Sequence, residues 1–203
     1  MRAKPIRDAY IALLCLAAAA APTSAQITEP DLTWSNGAAL EAGEVELHMN
    51  KEGRITEVTA TILVDAPPQD IWDVLVACEI APEYVPNVVA CRSIELVDDG
   101  AGELFIQTIK PAFFIPSFEH VFRMDYQPFQ RIDINRVSGP IKLLESVWWL
   151  KPRGDGRVSL IYTLRLDPGI PIPRMFVRTT LRRDLPRVLL AVRERAEAAA
   201  QAR

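Results

Sequence analysis

The patterning of this chain predicts an α+β fold in which an antiparallel sheet is closed by a long C-terminal helix. Three observations carry the prediction. Residues 55–166 fall into short segments of alternating polar and apolar residues separated by turn-forming residues, one proline-led amphipathic stretch interrupts them, and from Pro173 the apolar spacing changes to three and four. Short connections between neighbouring strands imply an antiparallel meander, because a parallel pair needs a crossover of a dozen or more residues.

Taken in order, residues 26–43 contain Pro30, Gly37 and Gly43 with no sustained period and read as a poorly structured lead-in to a single domain over 44–203. Glu44–Met49 and Ile55–Val64 read as a hairpin joined by Asn50-Lys51-Glu52-Gly53. Pro67 and Pro68 then open a helix whose Ile71, Val74, Leu75 and Cys78 share one face, with Pro82 and Pro86 bounding a second short turn. Strands follow at 90–97, 102–109, 117–126, 131–137, 141–150 and 157–166, most of them separated by Asp98-Asp99-Gly100, Gln127-Pro128-Phe129, Ser138-Gly139-Pro140 and the Gly154/Gly156 turn. The final helix presents Leu181, Leu185, Val188, Val192, Ala196 and Ala199 on one face, and Pro186 is expected to kink or divide it near 182–184.

The first 25 residues have a basic start (Arg2, Lys4, Arg7), an apolar run from Ala9 to Ala21 and the small residues Thr23-Ser24-Ala25, the pattern of a secretory signal peptide. A run of about 13 apolar residues is too short to span a bilayer. Cys15 follows Leu14, where a lipoprotein signal has a small residue, so it is expected to leave with the leader. Cleavage after Ala25 implies a periplasmic or secreted protein, long enough for one sizeable core. The net charge of −3 becomes more negative when the basic leader is lost, which speaks against a nucleic-acid partner. The arginines near the C-terminus are interleaved with Asp184, Glu194 and Glu197 and read as a solvated helix face.

Cys78 and Cys91 are the two cysteines of the exported part, and they are either a disulfide or two buried thiols. No metal site is expected, since there is no CxxC and His48 and His120 lie far from the cysteines.

The segment DAPPQDIWDVLVACEIAPEYVP, with its tryptophan at Trp72, resembles the SRPBCC superfamily, the START-like proteins that include polyketide cyclases and coenzyme Q-binding proteins. Further echoes lie in EYVPNVVACRSIEL, in LLESVWWLKP followed by SLIYTLRLDP, and in DLPRVLLAVRERAE. The likeness covers roughly residues 55–199. It implies a helix-grip fold in which a curved antiparallel sheet, two short helices and a long C-terminal helix enclose a hydrophobic cavity. The ligand class it implies is a lipid, polyisoprenoid, sterol-like compound or quinone, bound without a cofactor and carried or presented in the envelope.

On 117–126 the apolar and aromatic positions Phe118, His120, Phe122, Met124 and Tyr126 share one face, which is expected to look inward. They serve either as cavity lining, with His120 as a directional polar contact, or as ordinary core with a hydrogen-bonded histidine. Trp148, Trp149 and Tyr162 join the candidate ligand site, although adjacent residues point to opposite faces and the pattern does not choose between the tryptophans. Met175 and Phe176 are placed to close one end of the cavity. The loop 110–117 is unusually apolar, so Phe113, Phe114 and Ile115 are candidates for a gate or a lip that touches a membrane surface transiently; a loop folded on its own core is the other reading.

No GxSxG, GxGxxG, HExxH or P-loop pattern is present, and no catalytic residue is assigned. Two alternatives stay open at this level. One is a cyclase or aromatase using the same cavity, with His120, Arg123, Asp125, Arg136 and Glu145 as its polar groups. The other is an envelope interaction protein whose core is filled by its own side chains.

Overall fold

The computed structural model describes residues 27–52, 55–169 and 172–203, with only the backbone described at residues 51, 52 and 174. The leader and its cleavage site lie outside the described residues. In chain order the elements are α1 (Gly37–Glu41), β1 (Glu46–Glu52), β2 (Ile55–Val64), α2 (Pro68–Val76), α3 (Ala81–Tyr84), β3 (Val88–Val97), β4 (Gly102–Ile109), β5 (Phe118–Gln127), β6 (Arg131–Ser138), β7 (Leu143–Pro152), β8 (Val158–Asp167) and α4 (Arg174–Gln201). The strands form one antiparallel sheet in the order β1-β2-β8-β7-β6-β5-β4-β3. β3 through β8 are a continuous meander, and β2 pairs with β8 at the other end of the run.

The core lies between one face of this sheet and the helices. Val58, Ala60, Ile62 and Val64 of β2 face it at alternate positions, as do Leu160 and Leu164 of β8, and they meet Leu185, Leu189, Val192 and Ala196 of α4. Ile71, Val74 and Leu75 pack α2 into the same core, the face that the spacing predicts. Cys78 leaves the helix for a tighter 3₁₀ turn and is joined to Cys91 of β3, with α-carbons 5.4 Å apart. Closing a loop of this length stabilises the fold by about 3 kcal/mol in the chain-entropy account.

Three expectations about these elements are corrected. β1 continues to Glu52, which pairs with Ile55, so Asn50, Lys51 and Glu52 are ladder residues and not a turn. α4 runs unbroken through Pro186, whose missing N–H only deprives the Arg182 carbonyl of its partner. Ala199 is exposed and Ala200 packs on the core in its place.

The lead-in is structured and covers the opposite face of the sheet. Asn36 caps α1 by accepting a hydrogen bond from the Ala38 amide at 3.1 Å. Ile27 and Leu32 pack over Val147, Trp149 and Ile161, and Trp34 stacks on His48. Arg131 donates to the Ile27 carbonyl at 2.9 Å, and Arg153 and Arg157 both pair with Glu41. Among the described residues no helix is long and apolar enough to cross a membrane.

Candidate functional site

The space between the sheet and α4 is not filled. An inner cavity of about 220 Å³ lies under α4, walled by Leu75 of α2, by the Cys78–Cys91 bridge and by Leu185 and Val188 of α4. Its sheet wall is made of residues two apart on successive strands: Gln107 on β4; His120, Phe122 and Met124 on β5; Ile134 on β6; Leu144, Ser146 and Trp148 on β7; and Tyr162 on β8. This follows from the period of two in a strand, which sends alternate side chains to one face.

Toward the other end of β5 a second space of about 200 Å³ is lined by Ile109, Phe118, Leu166, Phe176 and Leu181, and beyond it a groove of about 600 Å³ runs between Phe114–Phe118 and Ile172–Phe176. These two spaces share Phe118, Ile172 and Phe176, so they are continuous walls of one mouth. Phe113 and Phe114 stand at its rim, 92% and 63% exposed, with their rings 5.1 Å apart and the Phe114 ring 6.4 Å from Phe176.

Of the candidate ligand residues, His120, Phe122, Met124, Trp148 and Tyr162 border the inner cavity, and Phe118 borders the mouth. Trp148 and Tyr162 are cross-strand partners on β7 and β8, their rings tilted by 39° with centres 4.3 Å apart. Three candidates do not line these spaces. Trp149 points to the opposite face, where its ring lies under Ile27 and Leu32 with the Arg131 guanidinium 4.1 Å from its centre. Tyr126 lies past the inner end, its ring edge-on to Trp72 and its hydroxyl donating to Glu103 at 3.1 Å. Met175 is 79% exposed because the first turn of α4 directs Phe176, not its neighbour, into the mouth.

The polar set proposed for a cyclase does not converge. Arg123 pairs with both Asp125 and Asp98 on the far face, Glu145 pairs with Arg165 there, and Arg136 donates to the Ile141 and Gly139 carbonyls. His120 alone reaches the cavity.

His120 is almost fully buried, and burial, helped by the positive Arg136 nearby, lowers its pKa to about 4. It is therefore neutral near pH 7. Its Nε2 lies 3.0 Å from Gln107 Oε1. Gly139, at a φ of 109°, lets the turn after β6 close on this histidine, since a Cβ there would stand 2.7 Å from His120 Cβ. Tyr84, whose hydroxyl donates to the Val74 carbonyl, is pushed up to about 12 by burial and stays protonated. Gln107 and Ser146 are cavity residues that sequence reasoning missed. The signal for Gln107 was a lone amide on the face shared by Phe105 and Ile109. Among the described residues no cluster of His, Cys, Asp or Glu is arranged to hold a metal ion.

Several solved structures share this architecture. A STAR-related lipid transfer protein fragment from Xanthomonas axonopodis superposes with a TM-score of 0.65 at 18% identity, over 75% of this chain and 93% of that one. The Zhui aromatase/cyclase of Streptomyces gives 0.60 at 18% identity, over 70% of this chain and 94% of that one. The lipid transfer and protein localization domain of human StarD13 gives 0.59 at 16% identity, over 78% and 85%. At these identities the likeness speaks for the fold. No curated protein matches the chain in sequence. Residues 64–193 match the model of the family described as polyketide cyclase / dehydrase and lipid transport, and the chain, a START-like domain of the SRPBCC superfamily, belongs to that family.

Proposed function

We propose that this domain binds a hydrophobic small molecule and carries or presents it in the cell envelope, where the leader would send it. The observation that carries the reading is a set of neighbouring spaces, the outer two meeting at Phe118 behind an exposed aromatic rim and the inner one bordered by His120 two residues further along β5, all lined at every described position by uncharged and mostly apolar side chains. Burying an apolar ligand there contributes roughly 25 cal/mol per Å² of area taken from water. The rim supports transient contact with a membrane, because exposed phenylalanines gain by entering the lipid interface and a ligand then passes without meeting water. A core filled by its own side chains, the docking-protein alternative, is at odds with these spaces. A cyclase using His120 alone has no second polar group from the expected set.

The test is mass spectrometry of the organic extract from protein purified out of its native envelope fraction, against a denatured control. A stoichiometric lipid, polyisoprenoid, sterol-like compound or quinone is the expected result. An empty protein whose fluorescence does not respond to added apolar dyes would overturn it. For the membrane step, Phe113→Ser combined with Phe114→Ser is expected to weaken sedimentation with liposomes while leaving the fold intact, and unchanged sedimentation would remove the lip.

A further inference from the structure

The character of the ligand follows from the polar atoms inside the cavity, and this step rests on the hydrophobic-ligand reading above. None of the described residues lining the three spaces is charged. A carboxylate or phosphate drawn inside would lose its hydration with no opposite charge to replace it, which excludes ions from the interior.

Neutral hydrogen-bonding groups are nonetheless there. Gln107 turns its amide nitrogen toward Cys91 Sγ, 3.8 Å away, and its amide oxygen toward His120 Nε2. With that orientation Nε2 carries the ring proton and Nδ1 presents a lone pair. Nδ1 is buried and has no hydrogen-bond partner among the described residues, and the same is true of Ser146 Oγ. Tyr162 lies close enough to Ser146 to ease the upward push that burial gives its phenol, but no Tyr162–Ser146 hydrogen bond is formed. Buried polar atoms are paired in the large majority of cases, so unpaired ones on residues that border a cavity, each within a small side-chain rotation of it, are places for an external partner. The other two unpaired atoms, Thr61 Oγ1 and Trp149 Nε1, belong to residues that border none of the three spaces.

We propose that the inner cavity takes an uncharged, hydroxyl-bearing amphiphile, an alcohol, phenol or quinol, whose O–H donates to His120 Nδ1. Ser146, two strands away on β7, supplies a second neutral contact for another part of the ligand. The apolar remainder extends past Phe118 toward the mouth. The polar end is thus held inside and the apolar end lies nearest the rim, so the ligand enters head first.

The experiment loads the purified full-length mature protein with N-phenyl-1-naphthylamine, an uncharged dye that brightens in apolar surroundings. It is then displaced with 1-dodecanol or with dodecanoate at about pH 8, where the acid is ionised. Dodecanol is expected to displace the dye at a concentration at least about tenfold below that of dodecanoate. His120→Phe is expected to remove most of this preference. Ser146→Ala, a smaller change that leaves the histidine in place, is expected to reduce it. Dye binding with equal displacement by the two compounds overturns the inference and leaves the hydrophobic-cavity reading standing. A preference that survives in both variants overturns the assignment to His120 and Ser146. A protein that binds no dye overturns the underlying reading, and the inference with it.

Discussion

Trp148 and Trp149 are neighbours in the chain, yet they belong to two differently finished faces of the same sheet. Trp148 borders an open cavity beside Tyr162, while Trp149 is sealed beneath Ile27 and Leu32 and capped by Arg131. The chain covers one face over β7 and β8 with its own lead-in and leaves the other incompletely filled. A sheet of this size does not need an open interior to be stable, as the closed face shows. The space on the helix side is therefore a feature of how α4 and the mouth loops are set, and its cost in lost packing is offset when a ligand fills it.

The sharpest way to break the comparison is to truncate each tryptophan. Trp149→Ala empties a packed site and is expected to cost about 3–5 kcal/mol in urea unfolding while leaving dye binding by the folded fraction unchanged. Trp148→Ala is expected to cost less than half as much, because part of its surface already faces empty space, and to change ligand affinity instead. Equal costs with no change in binding would erase the distinction between the faces.

Next in size is a pH effect confined to the cavity side. His120 titrates at about 4 when folded and near 6.5 when unfolded. Between those values the unfolded chain binds more protons, so stability is full above about pH 6.5 and falls as the pH drops toward 4. The loss is expected to approach about 3 kcal/mol and to vanish in His120→Phe, which unfolding midpoints across this range would measure. A wild-type curve that is flat between these limits would place His120 in a wetter setting.

The smallest expected effect lies in the ionic fastening of the lead-in. Glu41→Ala removes the pairs to Arg153 and Arg157, which are partly exposed. It should cost under about 1 kcal/mol, less still at high salt, and leave dodecanol displacement unchanged. A larger loss would mean that the lead-in is held by charge more than by Ile27 and Leu32.

Most strand and helix positions were legible because one-sided burial writes a period into the sequence. β2 and β4 have the bounds that their alternation predicts, and α2 buries the face that its spacing names. The pattern fails where both faces are buried. On β7 the outward positions Val147 and Trp149 are apolar because the lead-in covers them, so they look like core residues and Trp149 reads as a cavity candidate. The strand expected over 141–150 also takes in Lys142, which breaks its alternation, but β7 begins at Leu143 and the lysine lies outside it. The lead-in itself carries no period because its contacts are a few scattered side chains over 27–43, not a repeating face.

Within the site, the stripe on β5 was legible down to His120, Phe122 and Met124. Met175 was misplaced because proximity in sequence to Phe176 says nothing about which way a helix turn points each of them. Gln107 and Ser146 escaped notice because a single polar residue on an apolar face has no meaning until its neighbours across the sheet are known.

The sequence by itself determined the α+β class, the order of strands and helices, the family and the apolar character of the mouth, since each is written in local spacing and composition. Only the tertiary structure decided which tryptophan faces the cavity, that the lead-in closes the far side of the sheet, and that His120, Gln107 and Ser146 stand around one neutral, incompletely paired interior. These are relations between residues on different strands, set by register and by which surfaces are covered, and no local pattern encodes them.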